Sequence, residues 1–337
     1  MGKETIPHRV TLRDVALAAQ VSIATASRAL TGHGSSSAAT VAAVVAASER
    51  LGYRPDPAAR SLRAQVSGLI GMVVPGVRNP FFSELIDSLE SELQAVGTEL
   101  VLCDSRGDEA QQLQRIRTLN DRRVDGLILA PISTTLSDRL AAELARQANI
   151  VQIDREIAGL EADYVGVDNR VGIRLILKHL QQRGVRTVGF VSGEELTSTG
   201  SSRLGAFRDT VAAFEGIAST RVLLGDFSVD FGLEAGARLL ADGELPDALV
   251  CGSDVIAIGL MRALHAGGHR VPDDVLVTGF DGIAFSELSD PPLTTVAQPY
   301  EAIAAESVRL LHQRMRGDRS PARSSSIRPS LVVRGSA

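Results

Sequence analysis

Seven residues able to hold a small polar molecule share one kind of position in this sequence. Asn79, Asp104, Asp154, Phe227, Ser253, Asp254 and Asp281 each stand at or just past the end of a short apolar run. Carboxylates, an amide and a hydroxyl grouped in this way suit hydrogen bonding to a ligand. Groups for catalysis are missing. The chain has no G-x-S-x-G, no phosphate-binding loop and no G-x-G-x-x-G. His265 and His269 are four apart, but Gly267 and Gly268 break the helix that would align them, and no Cys/His cluster has zinc spacing. The expected chemistry is therefore binding, by a protein that is not an enzyme and needs no metal or cofactor.

The apolar runs are the elements that must place these residues. They are 68–75, 99–104, 126–132, 150–154, 187–193, 221–227, 248–254 and 275–281. Helical patterns separate most of them, as at 82–96, 109–122, 201–214 and 255–266. Continuous apolar strands alternating with helices predict buried parallel sheets, and there are too many strands for one small sheet. The run 164–169 is read as a crossing between two lobes. Ligands of open parallel sheets bind at the carboxyl ends of the strands. Two such sheets facing one another make a cleft with polar groups on both walls. Plainer readings stand beside this one: helix caps for Asp154, Asp254 and Asp281, and core for Phe227.

The first 65 residues are different in kind. In residues 13–30, RDVALAAQVSIATASRAL, strong helix formers are interrupted at Gln20–Ser22. Thr11 and Asp14 form a capping-box-like start, and Val15, Ala16 and Ala19 make an apolar stripe. Ser22 can cap a second helix, with Ala26, Ala29 and Leu30 facing the first, which is the pattern of a helix-turn-helix. A third helix follows, capped by Ser37, with Val41, Val44, Val45, Ala47, Ser48 and Leu51 at helical spacing and Gly52 at its end. Residues 1–65 carry eight Lys and Arg against four Asp and Glu, a net of +4; the whole chain carries −5, which leaves −9 for residues 66–337. A basic head on an acidic body implies that the head meets nucleic acid.

At 337 residues the chain suits a small head and a two-part body. Its 44% hydrophobic and 22% charged residues are those of a globular protein. No apolar run has the length of a membrane span and no signal-peptide core is present, so no membrane partner is expected and the expected location is the cytoplasm. Cys103 and Cys251 lie in apolar runs and read as buried reduced thiols.

Taken together, these stretches resemble the lactose-repressor/galactose-repressor family of bacterial transcription regulators over nearly the whole length. The resemblance rests on TLRDVALAAQVSIATASRAL (11–30), LGYRPDPAARSLR (51–63), NPFF (79–82), RRVDGLILAP (122–131), GFDG (279–282) and LTTVAQP (293–299). It implies an α/β fold: an all-α helix-turn-helix headpiece at 1–55, a hinge helix and linker at 56–65, and a two-lobed effector and dimerisation domain at 66–337, like periplasmic binding proteins. The first lobe would take 66–167 and 298–325, the second 168–297 and 326–337. It also implies a homodimer on a pseudo-palindromic double-stranded operator, and without a heptad tail after 337 a dimer is favoured over a tetramer.

By the family's pattern, Ile23, Ala24 and Arg28 point at base edges, while Thr11, Ser22, Thr25 and Ser27 serve phosphates. Asp56-Pro57 starts a hinge helix of about two turns, marginal alone in water. In it Leu62 matches the wedge residue that enters a base step, with Arg60 and Arg63 beside the backbone. Val41 stands where a polar residue near DNA is expected. In the cleft, Asn79, Phe81 and Phe82 match the first wall, with Asp154 and Arg155 as an acid–base pair for adjacent hydroxyls. Thr199, Arg203, Phe227, Ser253, Asp281 and Gln298 match the opposite wall, with Ser253 where sugar-binding relatives often carry asparagine. The expected function is a repressor whose operator affinity responds to a small molecule, a monosaccharide first. A nucleobase, nucleoside or phosphorylated sugar is the alternative within the same class. Outside it stand a sugar-transport binding protein, which would need a signal peptide, and an enzyme, which would need a nucleophile or metal.

Overall fold

The computed structural model describes residues 10–31, 37–53 and 66–337. The chain divides into two compact units, 1–67 and 68–337. The hinge residues Arg60, Leu62 and Arg63 lie outside the described residues.

In the first unit α1 (Leu12–Ala18), α2 (Ile23–Thr31) and α3 (Ala38–Leu51) surround a small core of Val15, Ala16, Ala26, Ala29, Val44 and Ala47. The Asp14 carboxylate accepts from the Thr11 amide and hydroxyl at 2.8 and 2.7 Å and so fixes the start of α1. The interruption at Gln20 is a left-handed turn, φ 54°, after which the Val21 amide returns to the Ala16 carbonyl at 3.0 Å. Ser22 Oγ then accepts from the Thr25 amide at 3.1 Å and starts α2. Val41 is half-buried against this core rather than facing outward. Val45, expected on the apolar face of α3, is 38% exposed.

The second unit contains two six-stranded sheets. The first is built from β1 (Leu69–Val74), β2 (Glu99–Asp104), β3 (Gly126–Leu129), β4 (Ile150–Ile153), β5 (Asp163–Val167) and β11 (Ser324–Ile327). Its order is β11-β5-β4-β3-β1-β2 and every pair is parallel. The second is built from β6 (Thr187–Gly193), β7 (Ala218–Gly225), β8 (Ala248–Cys251), β9 (Leu276–Asp281), β10 (Thr294–Ala297) and β12 (Ser330–Val332). Its order is β12-β10-β9-β8-β6-β7, with only the β10–β12 pair antiparallel. Helices α4 (Pro80–Ala95), α5 (Glu109–Asp121), α6 (Asp138–Leu144) and α12 (Tyr300–Met315) belong to the first lobe. Helices α7 (Asn169–Gln182), α8 (Ser198–Ala213), α9 (Val229–Asp242), α10 (Asp254–Ala266) and the single turn α11 (Phe285–Leu288) belong to the second.

The chain passes between the lobes three times: from β5 into α7, from β10 into α12, and from β11 into β12. The first-sheet strand β11 runs to Ile327, two residues past the expected boundary. Strands β2 and β7 lie at sheet edges, which leaves Cys103 half-buried, whereas Cys251 in β8 is fully buried.

Asp163 fastens together the far ends of the three elements that flank the crossings. It is fully buried. Its carboxylate accepts from Arg314 Nε and Nη2 at 2.8 and 2.7 Å and from the Arg323 amide at 2.8 Å, joining β5, the end of α12 and the start of β11. Burial raises the Asp163 pKa, but the bonds from Arg314 and Arg323 outweigh it and hold the carboxyl below its usual range. A depressed folded-state pKa contributes stability above the unfolded value that disappears as pH falls through the folded one. Asp163→Ala is expected to destabilise the protein by about 3–5 kcal/mol at pH 7, because Arg314 loses its buried partner. Urea unfolding at pH 7 and pH 3 checks this, with the difference between wild type and variant shrinking at the lower pH.

Candidate functional site

The head presents one face of α2. Ala26 and Ala29 are buried in the three-helix core. Ile23, Ala24 and Arg28, spaced along the other side, are exposed. Ser22 and Thr25 share a hydroxyl contact of 2.8 Å at the helix start, and Thr11 is exposed at the start of α1. Ser27 is half-buried.

In the second unit the site is organised by Arg203, which α8 carries into the cleft at 2% exposure. Its Nε donates to Asn169 Oδ1 at 2.7 Å and its Nη1 to the Gly252 carbonyl at 2.6 Å. Nη1 also lies 3.5 Å from Asp281 Oδ1, and the guanidinium sits 3.9 Å above the Phe280 ring. Asp281 ends β9 with φ 122°, and its Oδ1 accepts from Gln298 Nε2 at 2.8 Å. Burial raises the Asp281 pKa well above the usual carboxylate range, against the pull of Arg203.

Asp254 anchors the loop that follows. It is fully buried at the first position of α10. Its Oδ2 accepts from the amides of Gly282 and Ile283 at 2.8 and 2.9 Å and from the Ser286 hydroxyl at 2.5 Å, while Oδ1 accepts from Thr295 Oγ1 at 2.5 Å. Its role is to hold the wall rather than to cap a helix.

The opposite wall is Asp154, with φ 62°, and Arg155. Arg155 Nε lies 3.5 Å from Asp154 Oδ2 yet makes no hydrogen bond, although it is buried. Burial raises the Asp154 pKa and lowers that of Arg155. The Arg155 guanidinium lies 6.0 Å from the Phe82 ring and 5.5 Å from Phe227, and Arg203 lies 5.9 Å from Phe227. A guanidinium from each lobe thus meets one aromatic ring. Phe227 has that place because residue 193 is glycine: a Cβ there would come within 2.0 Å of the ring.

The structure therefore gathers Asp154, Arg155, Arg203, Phe227, Asp281 and Gln298, with Phe82 at the margin. Other expected residues have internal partners. Asn79 caps α4, its Oδ1 accepting from the Phe81 amide at 3.1 Å, and Phe81 packs in the core against Phe82 and Tyr300. Ser253 is fully buried and caps α10, and Thr199 is buried in the first turn of α8, 3.4 Å from Thr197 Oγ1. Asp104, at the edge strand, accepts from the Arg106 amide. Sequence reasoning missed Asn169, Phe280, Tyr164 and Tyr300. Asn169 stood in the run read as a crossing, and its place directly after Asp168 was the available signal. A separate cavity of about 350 Å³, lined by Thr134, Gln152, Glu156, Tyr164, Ser198 and Arg323 among others, contains none of the expected ligand residues.

Away from the crossings, hydrogen bonds between the lobes run from the Thr134 amide to the Leu196 carbonyl at 3.1 Å, from the Glu156 amide to Ser198 Oγ at 3.0 Å, and from the Ala284 amide to Glu84 Oε1 at 3.4 Å.

Residues 11–56 match the family described as bacterial regulatory proteins, lacI family, and residues 177–337 match the periplasmic binding protein-like domain. The chain is 34% identical over 303 residues to a ribose operon repressor of Halalkalibacterium halodurans, covering 89% of each. It belongs to the LacI family. It is also 31% identical to the HTH-type transcriptional repressor PurR of Photobacterium profundum, covering 97% of this chain and 98% of that one. Among solved structures it is similar to the lac repressor dimer bound to operator and the anti-inducer ONPF, with a TM-score of 0.87 and 27% identity over 97% of this chain and 98% of that one. As a LacI-family member the chain is a DNA-binding transcriptional repressor. No helix among the described residues is long and apolar enough to cross a membrane.

Gly193→Ala is expected to displace Phe227 from both guanidinium groups and to cost about 1–3 kcal/mol of stability through overpacking. A crystal structure and a urea titration of the variant would check both parts.

Proposed function

We propose that this repressor responds to an unphosphorylated monosaccharide, pentose ahead of hexose, bound between the lobes. The observation that carries the reading is the buried acid–base pair of Asp154 and Arg155, whose Nε has no hydrogen-bond partner. A buried cation with an unused donor calls for an acceptor. A vicinal diol supplies acceptors and donors in one plane, and a carboxylate beside a guanidinium matches it at both. Arg203, Asp281 and Gln298 offer a second polar set, and Phe227 a flat apolar face. Two carboxylates repel a phosphate dianion, two arginines offset them only to about neutrality, and no glycine-rich anion nest lies beside them. The similarity to a ribose operon repressor supports the same choice. The similarity to PurR, with a ring flanked by two guanidinium groups, favours a nucleobase as the second reading.

In this reading the exposed face of α2 enters the major groove, Arg28 pairs with guanine, Ile23 and Ala24 meet thymine methyl groups, and Thr11, Ser22, Thr25 and Ser27 meet phosphates. Asn79, Phe81, Thr199 and Ser253 support the cleft walls. Leu62 is the wedge of a hinge helix flanked by Arg60 and Arg63. The protein acts in the cytoplasm as a homodimer, and Phe285 and Leu288, 57% and 78% exposed on α11, belong to its apolar dimer surface. Ligand changes operator affinity through its unequal affinity for two lobe arrangements.

On an operator selected from random DNA, Arg28→Ala is expected to lose about 1–3 kcal/mol of specific affinity, with little change on non-specific DNA. Leu62→Ala should likewise lose specific affinity, and all specific binding should fall steeply with salt. Equal losses on random DNA would overturn this interface. In calorimetry with D-ribose, ribose 5-phosphate, guanosine and hypoxanthine, binding is expected for D-ribose, and Arg155→Met should weaken it by about 2 kcal/mol or more. Binding confined to the phosphate or to the purines would overturn the sugar reading.

A further inference from the structure

The chain has three tyrosines. Two of them do the same thing in different places. Tyr164 Oη donates to the backbone carbonyl of Asp154 at 3.1 Å, and Tyr300 Oη donates to the backbone carbonyl of Asp281 at 3.0 Å. These are the two carboxylate residues of the cleft, one on each wall. They are also two of the five non-glycine residues with positive φ among those described.

We infer that Tyr164 and Tyr300 are positioning residues that hold the two cleft aspartates in their left-handed backbone and so aim both carboxylates at the ligand; the inference rests on the cleft being the effector site. Left-handed backbone at a residue with a side chain costs about 1–3 kcal/mol and persists only where its surroundings over-determine it. At Asp154 the amide donates to the Val165 carbonyl at 3.0 Å, which fixes the preceding peptide. Tyr164 then fixes the following peptide through its carbonyl. The phenol has room because Gly166 lies beneath it, where a Cβ would come within 2.1 Å of Oη. At Asp281 the carbonyl receives both the Gln298 amide at 3.0 Å and Tyr300 Oη, while Asp254 holds the next two amides. Burial pushes both phenols far above their usual range, so each remains a donor.

Position adds a second consequence. Tyr164 lies in β5, the last strand before the first crossing, and Tyr300 opens α12 directly after the second. Both tyrosines belong to the first lobe, while Asp281 belongs to the second. Tyr300 therefore spans the hinge, and a rotation of the lobes changes how Asp281 is held.

Tyr164→Phe and Tyr300→Phe keep the rings and remove only the hydroxyls. The probe is D-ribose, read by calorimetry on the full-length dimer, alongside melting temperature and ligand-free crystal structures of both variants. The expected result is at least fivefold weaker D-ribose binding in each variant, a melting temperature that falls by no more than a few degrees, and relaxation of φ at Asp154 or Asp281 toward negative values. Arg170→Ala, at a surface ion pair outside the cleft, serves as the control with unchanged affinity. Unchanged φ at both aspartates overturns the inference, as does wild-type affinity in both variants. If the wild type does not bind D-ribose, the sugar reading fails by itself, and the backbone at the two aspartates still decides the inference.

Discussion

Burying the Arg203 guanidinium is the constraint to which the rest of the effector domain answers. A cation taken out of water is costly unless its surroundings return what solvent supplied. Here the return comes from four directions: the Asn169 amide oxygen, the Gly252 carbonyl, the Asp281 carboxylate and the face of Phe280. Each partner sits at the end of a strand or the start of a helix. Asn169 opens α7, Gly252 follows β8, and Phe280 and Asp281 close β9. The parallel sheet exists to bring these ends to one place, and the charge is tolerable only because it does.

Asp254 performs the matching task for an anion. Four donors from three segments converge on one carboxylate, so the loop after Asp281 cannot move without uncovering it. That rigidity carries through Gly279, which is glycine because a Cβ would come within 2.2 Å of Asp254 Oδ1. The first wall is built differently. Asp154 and Arg155 touch without bonding, and the wall keeps unspent hydrogen-bonding capacity. One wall is thus heavily cross-bonded, and the other retains a buried donor without a hydrogen-bond partner.

Much of this was legible in residue order. The eight apolar runs all became strands, and the six other than the edge strands β2 and β7 are buried nearly throughout, as parallel strands covered on both faces need continuous apolar sequence. The broken helix at Gln20–Ser22 became a turn with a left-handed residue. Strands β10, β11 and β12 escaped notice because they are short and rich in serine and threonine, and their pairing is decided by distant partners. The same limit applies at the site. Asp154, Phe227 and Asp281 could be named from type and position, and Arg155, Arg203 and Gln298 from the family resemblance. Phe280 and the two tyrosines could not, and Asn169 had only its place after Asp168 to mark it, because what matters about them is a contact across ten or more residues of chain. Asn79, Phe81, Thr199 and Ser253 have residue types that suit a ligand, yet a helix amide, a neighbouring hydroxyl or a neighbouring ring already engages them.

Away from the crossings, the lobes are joined by hydrogen bonds from Thr134, Glu156 and Ala284. A hydrogen bond of this kind contributes about 1 kcal/mol, roughly a fivefold change in an equilibrium constant. The latch therefore behaves as a dial in coarse steps. Gain or loss of one such bond would shift the balance between two lobe arrangements by about fivefold without touching Asp154, Arg155, Arg203 or Asp281. The contacts that set how the lobes balance and the polar groups that line the cleft thus belong to different residues, and a substitution at one set leaves the other in place.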